Sequence, residues 1–262
     1  MNWLIEEDPG GAIIVKMSSS KLNLMNEAFF DDLNYAFDIL ESKYPDYPVV
    51  LTSLGNVFSA GLDINHCYSL FRNGDMEEIR IWYDHFRDSI LRVFKFRQPL
   101  VAAVNGHAIA GGLVLALCCD IRIGVSHNAK FGLNEVRVGF PLPATLAEII
   151  KNSIGAQNAE EMIFKGDLYN SREAMDFGIF HEITESNNLI DHALGYGREL
   201  SELYSMDAYI HAKKALRSEV LDKIQRVSSK LDEDIVDVLA SESTILTLER
   251  VLENLKNKSE RS

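Results

Sequence analysis

The chain is short of cysteine, of metal-binding spacings and of positive charge, and each shortage narrows what it can be. Three cysteines (Cys67, Cys118, Cys119) in 262 residues cannot build a disulfide framework. An odd count with two adjacent in an apolar run fits reduced, buried thiols, so a cytoplasmic location is expected. No stretch reaches the roughly 18 uninterrupted apolar residues of a membrane span. The start, Met1-Asn2-Trp3-Leu4-Ile5-Glu6-Glu7-Asp8, lacks the basic flank and apolar run of a secretory signal, and no membrane partner is expected. The seven histidines are scattered, with neither H-E-x-x-H nor C-x-x-C, so no metal site is expected. Twenty-six basic residues face 39 acidic ones, a net charge of −13 that repels nucleic-acid phosphates over most of the surface. G-x-G-x-x-G, G-x-x-x-x-G-K-[ST] and G-x-S-x-G are all missing, which demotes dinucleotide oxidoreduction, phosphoryl transfer and serine hydrolysis.

What is present is the balance of an ordinary globular protein, 47% apolar and 25% charged, which excludes a disordered chain. β-rich runs occur at Ile13-Ile14-Val15, Val49–Ser53, Leu100–Val104 and Ile121–Val125. Between them the apolar spacing predicts helices over 26–42 (Phe29, Phe30, Leu33, Phe37, Leu40) and 76–96 (Ile79, Tyr83, Phe86, Ile90, Val93, Phe94). Strands alternating with helices point to an α/β fold with largely parallel pairing. After about residue 143 the pattern turns helical: 156–165, 187–204, 206–224 and, as one strong segment, 228–255. We divide the chain into an α/β core, 1–200, and a helical C-terminal region, 201–262, whose apolar residues must pack on the core or on another subunit.

Chemistry concentrates in three glycine-marked segments. Strand Leu100–Val104 runs into Asn105-Gly106-His107-Ala108-Ile109-Ala110-Gly111-Gly112 and then an apolar helix. First-turn amides have no partner within a helix, and with the helix dipole they suit a developing negative charge. A glycine pair lets backbone come close there, although plain packing produces the same junction. A second glycine turn, Phe58-Ser59-Ala60-Gly61-Leu62-Asp63-Ile64, follows another strand, and two such loops can supply the two convergent amides of an oxyanion hole. The third segment holds Glu135 among apolar, glycine and proline residues. Burial raises a carboxyl there toward the range of a general base; the competing role is an ion pair with Arg137 or another base. His107 reads as a hydrogen-bonded loop residue and Asp120 as structural. Lys213, Lys214 and Arg217 form a basic cluster, either a solvated helix face or an anchor for one small anion.

The segments Phe58–Asp63, Pro99–Gly106 and Ala110-Gly111-Gly112 at this separation resemble the crotonase (enoyl-CoA hydratase/isomerase) superfamily, with Asn23-Leu24-Met25 and Glu173-Ala174…Gly178-Ile179 extending the likeness from about residue 10 to 220. The resemblance implies a crotonase-like spiral of ββα units with a C-terminal helical trimerisation region, assembled as a homotrimer or hexamer. It implies an acyl-CoA substrate, with coenzyme A entering as part of it and no separate cofactor. The thioester oxygen would lie on the Leu62 and Gly111 amides, with Ala60, Gly61, Asp63 and Ile64 lining the coenzyme A site and Lys213 or Lys214 candidates for its phosphates. Hydratases of the superfamily carry one glutamate three positions after the oxyanion-hole glycine and a second in the later loop. Here the first position is Val114 and only Glu135 remains. Gly132-Leu133-Asn134-Glu135 looks most like the mitochondrial-type delta-3, delta-2-enoyl-CoA isomerases, in which the matching glutamate shuttles the proton and the matching asparagine, Asn134, contacts substrate. The alternatives are an enoyl-CoA hydratase or acyl-CoA hydrolase using the same oxyanion hole, or a non-catalytic acyl-CoA binder. Phe140-Pro141-Leu142-Pro143 departs from the isomerase pattern and, with Trp82 and Phe86, is a candidate for shaping the acyl pocket.

Overall fold

In the computed structural model, which describes residues 2–202, 205–232 and 234–259, β1 (Leu4–Asp8) turns back into β2 (Ala12–Met17) as an antiparallel hairpin. After α1 (Glu27–Lys43), one unit recurs: a strand, a short strand, then a helix. The first unit is β3 (Val49–Ser53), β4 (Val57–Ser59) and α2 (Ile64–Asn73), to which α3 (Met76–Lys95) is added. The second is β5 (Leu100–Val104), β6 (His107–Ile109) and α4 (Gly111–Leu117). The third is β7 (Ile121–Val125), β8 (Phe131–Gly132) and a 3-10 turn (Glu135–Val138) leading to α5 (Ala144–Ile154). The chain ends with α6 (Ala156–Lys165), α7 (Ser171–Asp176), β9 (Glu182–Thr184), α8 (Leu189–Glu202), α9 (Met206–Leu231), α10 (Ile235–Leu239) and α11 (Glu242–Ser259).

The first strand of each unit enters a six-stranded sheet, β1-β2-β3-β5-β7-β9, and the second enters a three-stranded sheet, β4-β6-β8. After the opening hairpin the named strands pair in parallel, with an isolated antiparallel bridge from Phe131 to Tyr169 beside them. This is the spiral of ββα units that the resemblance implies. β3 and β5 are buried at every position, as parallel strands covered on both faces must be, and their continuous apolar runs make them readable. The second strands escape the sequence pattern because two or three residues carry no periodicity.

Local signals explain the helix boundaries. Asn26 caps α1 by accepting the Phe29 N–H, and Asp75 with Glu78 closes a capping box on α3. α2 is not among the helices expected from the apolar spacing, although Ile64, Cys67, Tyr68 and Phe71 recur at helical intervals behind the Asp63 cap. The expected helix over 228–255 is divided instead, with α10 standing between α9 and α11. The Ser241 hydroxyl accepts the Thr244 N–H at 3.3 Å, so a new helix starts there. Val220, Ile224, Ile235, Leu239 and Leu248 from these last helices join the same core as the sheets. All three cysteines are unpaired and buried, and burial pushes the Cys118 thiol up to about 12.

Candidate active site

β4 and β6 lie side by side, so their C-terminal loops arrive at one place. In the first loop, Met25 N–H donates to Gly61 O and Asp63 N–H donates to Met25 O, both at 2.9 Å. These bonds flank Leu62 in a parallel bridge to Met25, which turns the N–H of Leu62 to the opposite side. In the second loop, Ala110 N–H donates to Gly132 O at 2.8 Å, and Ala110 adopts φ 50, ψ −128, a conformation strained for a residue with a Cβ. That turn starts α4 at Gly111, whose N–H is left over at the helix terminus. Among the described residues no acceptor takes the N–H of Leu62 or of Gly111.

The loops are in contact. A Cβ on Gly61 (φ +85) would stand 2.8 Å from Ile109 O and 3.3 Å from Gly111 N. The second glycine of the helix start serves a purpose the sequence does not suggest: a Cβ on Gly112 would lie 2.3 Å from Ser59 O, so Gly112 admits β4 rather than a ligand.

Leu62 and Gly111 border a cavity of about 510 Å³ whose wall also includes Ala60, Asp63, Ile64, Asn134 and Glu135. Of the residues expected to form the oxyanion hole, carry the proton or line the coenzyme A site, Gly61 alone sits behind the wall, as the spacer between the loops. Asp63 has a second task, accepting the Asn65 and His66 N–H groups to cap α2. Phe86 and Phe140 form apolar wall, with Trp82 stacked on Phe86 at 5.7 Å behind them. Val251 and Leu255 of α11 also line it, so the C-terminal helix covers the cavity of its own chain. The sequence pattern marks these two residues as apolar and cannot say what they face.

Glu135 opens the 3-10 turn and is 6% exposed. Its Oε2 is buried with no hydrogen-bond partner among the described residues. Burial raises its pKa to about 7, placing it between acid and base at neutral pH. The competing ion pair with Arg137 does not form: Arg137 turns outward, donating to Lys165 O at 2.7 Å and to Asp167 Oδ1 at 2.5 Å. Val114, one turn after Gly111, is buried and apolar. The arrangement can therefore hold an anionic oxygen on two amides and exchange one proton beside it.

The basic cluster is elsewhere, with Lys214 exposed and Lys213 and Arg217 turned to an acid. Lys213 is buried and donates to Asp120 Oδ2 at 2.7 Å, while Arg217 donates to Asp120 Oδ1 at 2.7 Å. Neither lines this cavity, so Lys213 is withdrawn as a partner for substrate phosphates. His107 accepts the Lys130 N–H at Nδ1, 3.0 Å, the structural role read from its position.

A model of the enoyl-CoA hydratase/isomerase family matches residues 7–258. The mitochondrial enoyl-CoA delta isomerase 1 of Mus musculus is 26% identical over 255 residues, covering 96% of this chain and 86% of its own length. A putative enoyl-CoA hydratase of Thermus thermophilus is 30% identical over 200 residues, covering 76% of this chain and 78% of its own. The crystal structure of human mitochondrial delta3-delta2-enoyl-CoA isomerase superposes with a TM-score of 0.89 at 26% identity, covering 98% of this chain and 99% of that one. With the two amide-bearing loops, the buried glutamate and a match running nearly end to end, the chain belongs to the enoyl-CoA hydratase/isomerase family, built on the crotonase fold.

Proposed function

We propose that the protein is an enoyl-CoA isomerase that moves a double bond from position 3 to position 2 of an acyl-CoA. The observation that carries this reading is the unpartnered Oε2 of Glu135, in an apolar cavity it shares with the free amides of Leu62 and Gly111. Glu135 takes a proton from C2 of the 3-enoyl thioester. The C–H electron pair enters the conjugated system and the charge collects on the thioester oxygen. The Leu62 and Gly111 N–H groups stabilise that dienolate. Glu135 then returns the proton at C4, leaving the double bond between C2 and C3. One carboxyl suffices for both transfers, whereas adding water requires a water to be activated as well as a proton delivered. Val114, where a second acid would stand, supports isomerisation over hydration.

The reading needs no separate cofactor, because coenzyme A arrives with the substrate; Ala60, Asp63 and Ile64 on the cavity wall support a coenzyme A site there, and Asn134 a contact with the acyl substrate. Exposed Phe164 supports a homotrimer or hexamer, and the buried free thiols support a reducing compartment such as the cytoplasm. The test is incubation with a 3-enoyl-CoA and separately with a 2-enoyl-CoA, with products read by mass spectrometry. Isomerisation of the first and loss of that activity in Glu135→Gln are expected. Efficient uptake of water by the second, without isomerisation of the first, would reassign the protein as a hydratase. Because the base must be ionised, kcat/KM rises with pH and levels off above about 7.

A further inference from the structure

A second cleft, of about 460 Å³, opens between β7, α5 and α9, lined among others by Asp120, Arg122, Ser153, His181, Lys213 and Arg217. Its charge does not balance. Asp120 accepts the Leu100 N–H at 2.8 Å, Lys213 and Arg217 at 2.7 Å each, and the Tyr209 hydroxyl, which occupies its acceptor sites. Arg122, 5% exposed, spends Nε on Ile179 O at 2.5 Å and Nη1 on Cys119 O at 3.0 Å. No described carboxylate pairs with it, and no described residue takes its Nη2. Acids on the neighbouring α5 and β9 are engaged elsewhere: Glu148 with Lys151 and Lys223, and Glu182 with His192. Three cations thus meet one saturated carboxylate, in a chain whose net charge is −13. Burial strains this excess, pushing the Lys213 ammonium down to about 8 and the Arg122 guanidinium down to about 10.

Arg122, Lys213 and His181 all line this cleft, Lys213 with Gln98 O as its second acceptor at 2.8 Å. His181 Nδ1 accepts the Arg122 N–H at 3.1 Å, so the neutral ring carries its proton on Nε2, as a donor. A guanidinium edge, an ammonium and an imidazole N–H are the groups that recognise phosphate oxygens. We propose that this cleft is a binding site for a phosphate-type oxyanion, separate from the acyl-CoA cavity and independent of the reading of Glu135. A dianion cancels the surplus of the three cations over Asp120, which a monocarboxylate only halves.

The experiment measures thermal unfolding of the full chain in inorganic phosphate against chloride at matched ionic strength, with acetate and glycerol 3-phosphate as further arms. A saturable rise in midpoint with phosphate is expected, since a ligand bound only by the folded state stabilises it. A larger rise with glycerol 3-phosphate assigns the site to a phosphorylated metabolite, and an equal one to free phosphate. Arg122→Gln should weaken phosphate binding about tenfold, the effect of losing one charge-assisted hydrogen bond. Because that buried substitution can impair folding, Leu216→Glu is the second variant. Leu216 is exposed on the cleft rim, three residues after Lys213 on α9, and its new carboxylate should abolish the phosphate response while leaving the midpoint in chloride unchanged or higher. Equal midpoints in phosphate and chloride would overturn the proposal, as would an acetate response matching that of phosphate, or a phosphate response that survives in Leu216→Glu.

Discussion

Glu135 and Asp120 are both largely removed from water, and the fold treats them in opposite ways. Asp120 lies among donors from β5 and α9, and its charge is answered on every side. Glu135 has one oxygen with no partner among the described residues, surrounded by apolar wall, and its affinity for a proton rises accordingly. A carboxylate with donors all round contributes to structure and exchanges protons reluctantly. A carboxylate left without them is costly to keep charged, and that cost is the condition for proton transfer near neutral pH.

The contrast can be broken by substitution. The largest effect expected is on turnover: Glu135→Gln should reduce isomerisation of a 3-enoyl-CoA by about 10³-fold, a typical contribution of a positioned acid–base group, in a steady-state assay. The same change should stabilise the fold at alkaline pH. The pKa of Glu135 is about 7 in the folded chain, against 4.5 for a glutamate free of its surroundings. Between those values the folded state keeps a proton that the unfolded chain has released, so this group makes stability fall as pH rises across that window. Denaturation midpoints at about pH 5 and about pH 8 should converge in the variant, by roughly 2 kcal/mol relative to wild type. Asp120→Asn should act the other way, costing roughly 3–5 kcal/mol by leaving Lys213 and Arg217 unanswered, with turnover per folded molecule retained. If it abolished turnover without loss of stability, the division of labour between the two carboxylates would be wrong.

Smaller effects sharpen the picture. Gly112→Ala should push α4 from β4 and displace the Gly111 amide, lowering kcat about 10²-fold. Phe140→Ala should shift the preferred acyl length upward by about tenfold in relative kcat/KM, because Phe140 forms part of the apolar wall. Ala110→Gly should relieve the strained turn and raise stability by about 1 kcal/mol with the amide still in place, read from the unfolding midpoint.

The long first strands and α1 and α3 are legible in the sequence because each carries enough residues for periodicity and capping to show. The second strands are not, since their pairing depends on where the neighbouring unit lies. Glu135 stands out as an odd residue among apolar neighbours. Its competing role, the ion pair with Arg137, falls only because Asp167, thirty positions away, takes the guanidinium. Lys213 and Arg217 depart from the solvated-face reading for the same reason: their partner, Asp120, is 93 residues from Lys213 along the chain.

Local order along the chain settled the long first strands, α1, α3 and the glycine turns, because backbone preference and apolar spacing act over a few neighbours. It also settled that a single acid is available where the hydratase pattern has two. Tertiary structure decided which amides lack acceptors, which cations are answered, and that α11 closes the cavity of its own chain. Those properties depend on burial and on partners far away in sequence, and both come into being only when the layers pack.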